Sequence, residues 1–69
     1  MKAVSGKEMC KILERHGWLL QLIRSSHHIY AKDDMPGVII TVPVHRNRSL
    51  PTGMQRVIMR AAGLKDDDL

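Results

Sequence analysis

Two of the four histidines in this 69-residue chain, His27 and His28, are adjacent. An imidazole titrates near neutral pH, so it can take a proton from one oxygen and hand one to another. Neighbours in a strand point to opposite faces, so the pair cannot serve one surface or chelate one ion together. Alternation predicts Ile29 turned to the interior with His27, and His28 turned outward beside Tyr30. His28 is then the candidate acid–base group. Ser25 and Ser26 precede the pair, but no acid stands nearby to orient a hydrolase dyad. No Cys-x-x-Cys or His-Glu-x-x-His spacing appears. The single cysteine, Cys10, excludes an internal disulfide and a multi-thiolate zinc site. Neither a metal nor a cofactor is expected.

Arg46 and Arg48, with His45 and Asn47, form a basic segment just ahead of a helix start. Free backbone amides there carry partial positive charge and suit a phosphate. Arg24 and Lys32, on either side of the histidine pair, complete the candidate phosphate contacts. No P-loop, dinucleotide glycine motif or Gly-x-Ser-x-Gly elbow is present. The net charge is +4 and the predicted pI about 9.7. Three of the seven acids are Asp66, Asp67 and Asp68; without residues 65–69, ten Lys/Arg face four Asp/Glu, a surplus of +6. A small domain so charged attracts polyanions, nucleic acid foremost. RNA brings its own nucleophile, the 2′-hydroxyl beside each phosphate, so a lone base and a few cations suffice to cut it without a metal. Trp18 and Tyr30 are the only aromatics, which argues against a single-strand binder built on a row of stacking platforms.

The elements that must position these groups are legible in the spacing. Ser5 and Glu8 have the interval of a capping box, and Met9, Ile12 and Leu13 recur at helical spacing, so a helix is predicted over about residues 5–16. Gly17 ends it as a residue free to take positive φ, and Cys10 within it reads as a buried thiol. Trp18–Arg24, His27–Lys32 and Val38–Val42 read as strands, the last β-branched at every position, with Pro43 as its stop. Short turns between them favour an antiparallel meander. Pro51 opens a second helix whose core face is predicted as Met54, Val57, Ile58 and Ala61, with Gln55, Arg56 and Arg60 pointing away. Gly63 closes it and Leu64 folds back.

The expected fold is therefore an α+β sandwich, helix–strand–strand–strand–helix, with a three-stranded antiparallel sheet and both helices on one face. Residues 1–64 form the single domain, and the acidic end, residues 65–69, is expected to be disordered. A domain this short hides only about 60% of its unfolded surface, which places chemistry on an open face or shallow groove. No apolar run reaches the roughly 18 residues that cross a bilayer, and Met1 and Lys2 lead into no secretory leader, so a cytoplasmic location is expected.

Several motifs in this order resemble the HicA (YcfA-like) toxins. Ser25-Ser26-His27-His28 is similar to the family's Gly-Ser-His-His turn, and Thr41-Val42-Pro43-Val44-His45 to its Val-Pro-x-His segment. Leu13-Glu14-Arg15-His16-Gly17-Trp18 resembles Leu-x-x-x-Gly-Trp. Leu50 to Leu64 resembles the family's final helix, with Met54-Gln55 in place of Thr-Leu. The resemblance covers about residues 5–64. It implies a double-stranded-RNA-binding-like fold, ribosome-independent endoribonuclease action on mRNA without a metal, and neutralisation by a HicB-type antitoxin protein. It also implies that the second histidine of the pair, His28, is catalytic. The competing expectation is a non-catalytic RNA-binding or protein-interaction module with the same fold.

Overall fold

A computed structural model describes all 69 residues. Ser5 opens the first helix, α1 (Gly6–Arg15). Its hydroxyl accepts from the Glu8 amide at 3.1 Å, while the Glu8 carboxylate accepts from the Ser5 amide at 2.9 Å, the predicted capping box. Hydrogen bonding to the carboxylate, from the Ser5 backbone amide first and the Ser5 side chain second, holds the Glu8 carboxyl below its ordinary range. The helix ends at His16, and Gly17 turns the chain out at φ +91°.

Three antiparallel strands follow: β1 (Leu19–Arg24), β2 (His27–Ala31) and β3 (Ile40–Pro43), in spatial order β1-β2-β3. After them comes α2 (Thr52–Ala62), completing the expected α-β-β-β-α order of a small α+β fold. β3 is shorter at its start than predicted, because the chain turns at Met35–Val38, where the Val38 amide bonds the Met35 carbonyl at 3.2 Å. β3 stops at Pro43 as predicted, with the proline itself included as the strand's last residue, opposite His27.

The core lies between the helices and one face of the sheet. Met9, Ile12 and Leu13 from α1, Ile58 and Met59 from α2, and Tyr30, Ile40 and Val42 from the sheet meet there with Val4, Trp18, Leu50 and Leu64. Cys10 is buried as expected, and burial pushes its thiol pKa up, away from reactivity.

Two phases differ from expectation. In β2, Tyr30 faces the helices and is fully buried, whereas Ile29 is only partly buried on the open face. Tyr30 wins the interior because its ring fills the core while its hydroxyl donates to the Glu14 carboxylate on α1 at 2.6 Å. In α2, Gln55 is 1% exposed, whereas Met54 and Val57 are 41% and 63% exposed. The buried face is rotated by one residue, about 100°. Gln55 holds it there: its Oε1 accepts from the Val4 amide at 3.1 Å and its Nε2 donates to the Lys2 carbonyl at 2.6 Å.

The acidic end differs too. Gly63 caps α2 at φ +69°, and Leu64 folds back as predicted, its amide on the Met59 carbonyl at 2.8 Å. Residues Asp66–Asp68 then form a 3-10 turn instead of a disordered tail. The apolar side chains on either side of the acids, Leu64 and Leu69, both pack on the core, and Asp68 lies 3.5 Å from His16.

Candidate functional site

β2 begins and β3 ends at the same end of the sheet, beside the two-residue turn that links Arg24 to His27. The Val44 amide donates to the Ser26 carbonyl at 2.8 Å, carrying the ladder one step past β3. The segments ahead of the two helices also run side by side: Ser5 bridges Ser49, and the Leu50 amide donates to the Val4 carbonyl at 2.8 Å. Both helices therefore start at this end. Gly6 permits the closest approach, since a Cβ there would overlap the Pro43 carbonyl oxygen. One pole of the molecule thus gathers Arg24, His27, His28, the His45–Arg48 loop and two helix N-termini, whose free amides add partial positive charge.

His28 is half-buried and stands on the helix-facing side of the sheet, opposite the fully buried Val42 on β3 and Ile23 on β1. The expectation of His28 and Tyr30 on the open face is thereby corrected. The two do share a face, but it is the one the helices cover. His28 keeps access to solvent because it sits at the rim, where the helices begin. Tyr30 spends its hydroxyl on Glu14 and so does not orient the imidazole. Burial, with Cys10 and Glu14 beside it, drives the Tyr30 hydroxyl pKa far up. His27 points to the open face, exposed, opposite Pro43 and Arg24.

The two non-glycine residues at positive φ both lie at this pole: Ser25 at φ 56° in the β1–β2 turn, and Arg46 at φ 55° in the basic loop. Positive φ at the first of two loop residues is the arrangement of a type II′ turn, where glycine is usual. Serine keeps the glycine-like path at some cost in strain. The Arg48 amide closes the basic loop onto the His45 carbonyl at 3.0 Å. His45, Arg46, Asn47 and Arg48 line a shallow open depression with no apolar wall, a shape and charge suited to a phosphate chain rather than to a small enclosed ligand.

Of the predicted phosphate contacts, Arg24, Arg46 and Arg48 come together at this pole. Lys32 does not. It follows the far end of β2, about 13 Å along the strand from His28. Its ammonium lies 5.9 Å from the centroid of the Trp18 ring and 3.9 Å from Asp34, so it braces the opposite pole. No group of three or more His, Cys, Asp or Glu is placed to hold a metal ion. No helix is long and apolar enough to cross a membrane.

Sequence reasoning passed over Gly6 and set Gln55 on the outer face, yet both shape this pole by docking the two helix starts. Gln55 does stand three and four residues before Ile58 and Met59, at core spacing, but its polarity disguised it.

Compared with known families, residues 6–64 match the model of the HicA toxin of bacterial toxin–antitoxin systems. A search of curated proteins finds no match.

Proposed function

The chain belongs to the HicA toxin family of bacterial toxin–antitoxin systems, and on that premise we propose that it is an mRNA-cutting toxin whose catalytic residue is His28. The observation that carries this reading is the rim position of His28, reachable from solvent at the pole that holds Arg24, Arg46 and Arg48. In the proposed step the imidazole removes the proton of a ribose 2′-hydroxyl. The 2′-oxygen bonds to the adjacent phosphorus, and the bond from phosphorus to the 5′-oxygen breaks. The imidazolium then returns its proton to the departing 5′-oxygen, leaving a 2′,3′-cyclic phosphate and a free 5′-hydroxyl. The arginines hold the phosphate and spread its developing charge. No metal takes part.

The open, shallow basic depression at this pole supports a polymer substrate over a small molecule, and no base-reading apparatus is built around it. A HicB-type antitoxin would silence the enzyme by covering this pole with an acidic surface, and the cytoplasm, where mRNA resides, is the proposed location.

Cleavage of a defined RNA in chelator-treated buffer tests the assignment. The wild type should cut, and His28→Ala should bind RNA with unchanged salt dependence while cutting at least ~100-fold more slowly. Equal cutting by the variant refutes His28. Binding without cleavage by the wild type favours the non-catalytic module.

A further inference from the structure

β1 carries Leu19, Leu20, Leu22 and Ile23, and all four are exposed, at 52%, 43%, 42% and 54%. The register with β2 puts Leu19 and Leu22 on the open face, opposite Ala31 and Ile29. Leu20 and Ile23 lie on the helix-facing side, opposite Tyr30 and His28, with the irregularity between Leu20 and Leu22 setting the change of phase. A strand apolar on both faces belongs in the interior of a sheet. Yet β1 is an edge strand, with an outer row of unpaired amides and carbonyls. The helices pack mainly over β3 and leave the outer part of β1 bare.

We propose that β1 pairs antiparallel with β1 of a second copy of this chain, about a two-fold axis normal to the sheet, so that two three-stranded sheets become one. A single symmetric register pairs the whole strand. It sets Leu19 opposite the partner's Arg24, Leu20 opposite the partner's Ile23, and Gln21 opposite the partner's Leu22. That register also matches faces: Leu20 and Ile23 meet on the helix-facing side of both copies, and Leu19 and Arg24 meet on the open side.

Charge selects a second copy in this orientation. The basic pole lies at the Arg24 end of β1. The other end carries Asp33 and Asp34, which follow β2 beyond Ala31, the cross-strand neighbour of Leu19, and outnumber the one lysine beside them, Lys32, whose ammonium lies 3.9 Å from Asp34. Asp68 also lies there, held 3.5 Å from His16 just ahead of β1. Antiparallel pairing sets each basic pole against the partner's acidic end and keeps the two arginine clusters about 20 Å apart along the strands. A parallel or pole-to-pole arrangement would bring Arg24, Arg46 and Arg48 of both copies together and is disfavoured. The four side chains expose roughly 350 Å² per copy, less than the ~800 Å² of a standard interface, so the dimer should be weak and concentration-dependent. The proposal rests on the exposed edge of β1 and the charges at its two ends, and does not depend on RNA cleavage.

Sedimentation equilibrium of the full chain across roughly 1–300 μM, a range that brackets a weak dimer, tests it. The average mass should climb from 7.8 kDa toward twice that value. The double variant Leu20→Glu/Ile23→Glu should associate at least ~10-fold more weakly, with an unchanged circular-dichroism spectrum, since both side chains are exposed. Isotope-filtered NOEs between the Leu20 and Ile23 methyls of different molecules should appear in the wild type, a readout that needs no variant to fold. A mass that stays at 7.8 kDa throughout overturns the dimer and leaves the edge to a strand of another protein. A dimer that survives the double variant overturns the β1 interface.

Discussion

Gly6→Ala separates helix propensity from tertiary constraint. Alanine replaces glycine in helices at a gain of up to about 1 kcal/mol, because the unfolded chain loses less freedom. At Gly6 the structure predicts the opposite sign. The added Cβ would overlap the Pro43 carbonyl oxygen and stand 3.0 Å from the Pro43 carbonyl carbon and 3.1 Å from the Val44 Cα, all of them backbone. No side chain can swing aside, so α1 and the end of β3 must part by roughly an ångström, which strips contacts from Met9, Val42 and Val44 beneath. Overpacking of this kind costs about 1–3 kcal/mol, and more where backbone must yield, so a net loss of about 3 kcal/mol is expected. Against a total of roughly 3–10 kcal/mol for a chain of this size, that is a large fraction. Gly53 is the internal control. It sits in the first turn of α2, and a Cβ added there would meet nothing within 4 Å, so Gly53→Ala should gain up to ~1 kcal/mol. Trp18, the only tryptophan and 1% exposed, reports unfolding directly through its emission in urea. A Gly6→Ala protein as stable as the wild type, or two variants that shift together, would refute the idea that backbone contact sets the approach of α1.

Ser25→Gly should raise stability by about 1 kcal/mol in the same urea assay, because Ser25 holds φ 56° against its own Cβ; no gain would mean that the turn carries no strain. Gln55→Leu should cost about 2–3 kcal/mol, since it strands the Val4 amide and the Lys2 carbonyl, and a neutral result would show that solvent replaces both bonds. For Tyr30, burial is the first cause of a hydroxyl pKa raised well above its ordinary value. The folded protein thus keeps a proton that the unfolded chain releases near pH 10, so this stability is complete below about pH 10 and declines as pH rises beyond it. The wild-type thermal midpoint should fall more steeply above that pH than the midpoint of Tyr30→Phe, and folded protein should show no tyrosinate absorbance there; ordinary titration with the fold intact would contradict the burial argument.

Much of the architecture could be read from the residues alone. Ser5 with Glu8, Gly17, the β-branched run before Pro43, Pro51 and Gly63 each act within a few residues of themselves, so the elements and their order followed from local chemistry. The motifs around His28 and the final helix carried the family resemblance in the same way. Tertiary structure decided the phases. Ile29 and Tyr30 compete for one interior position, and the outcome turned on Glu14, far away in sequence, standing ready to accept a hydroxyl. Gln55 entered the core because Val4 and Lys2 needed its amide. Lys32 parted from His28 because a strand carries side chains steadily away from its start, while Arg46 and Arg48 approached it through the return of β3. Caps and periodicity are properties of a segment, whereas which face is buried depends on the partner a polar atom finds, and only the folded chain supplies that partner.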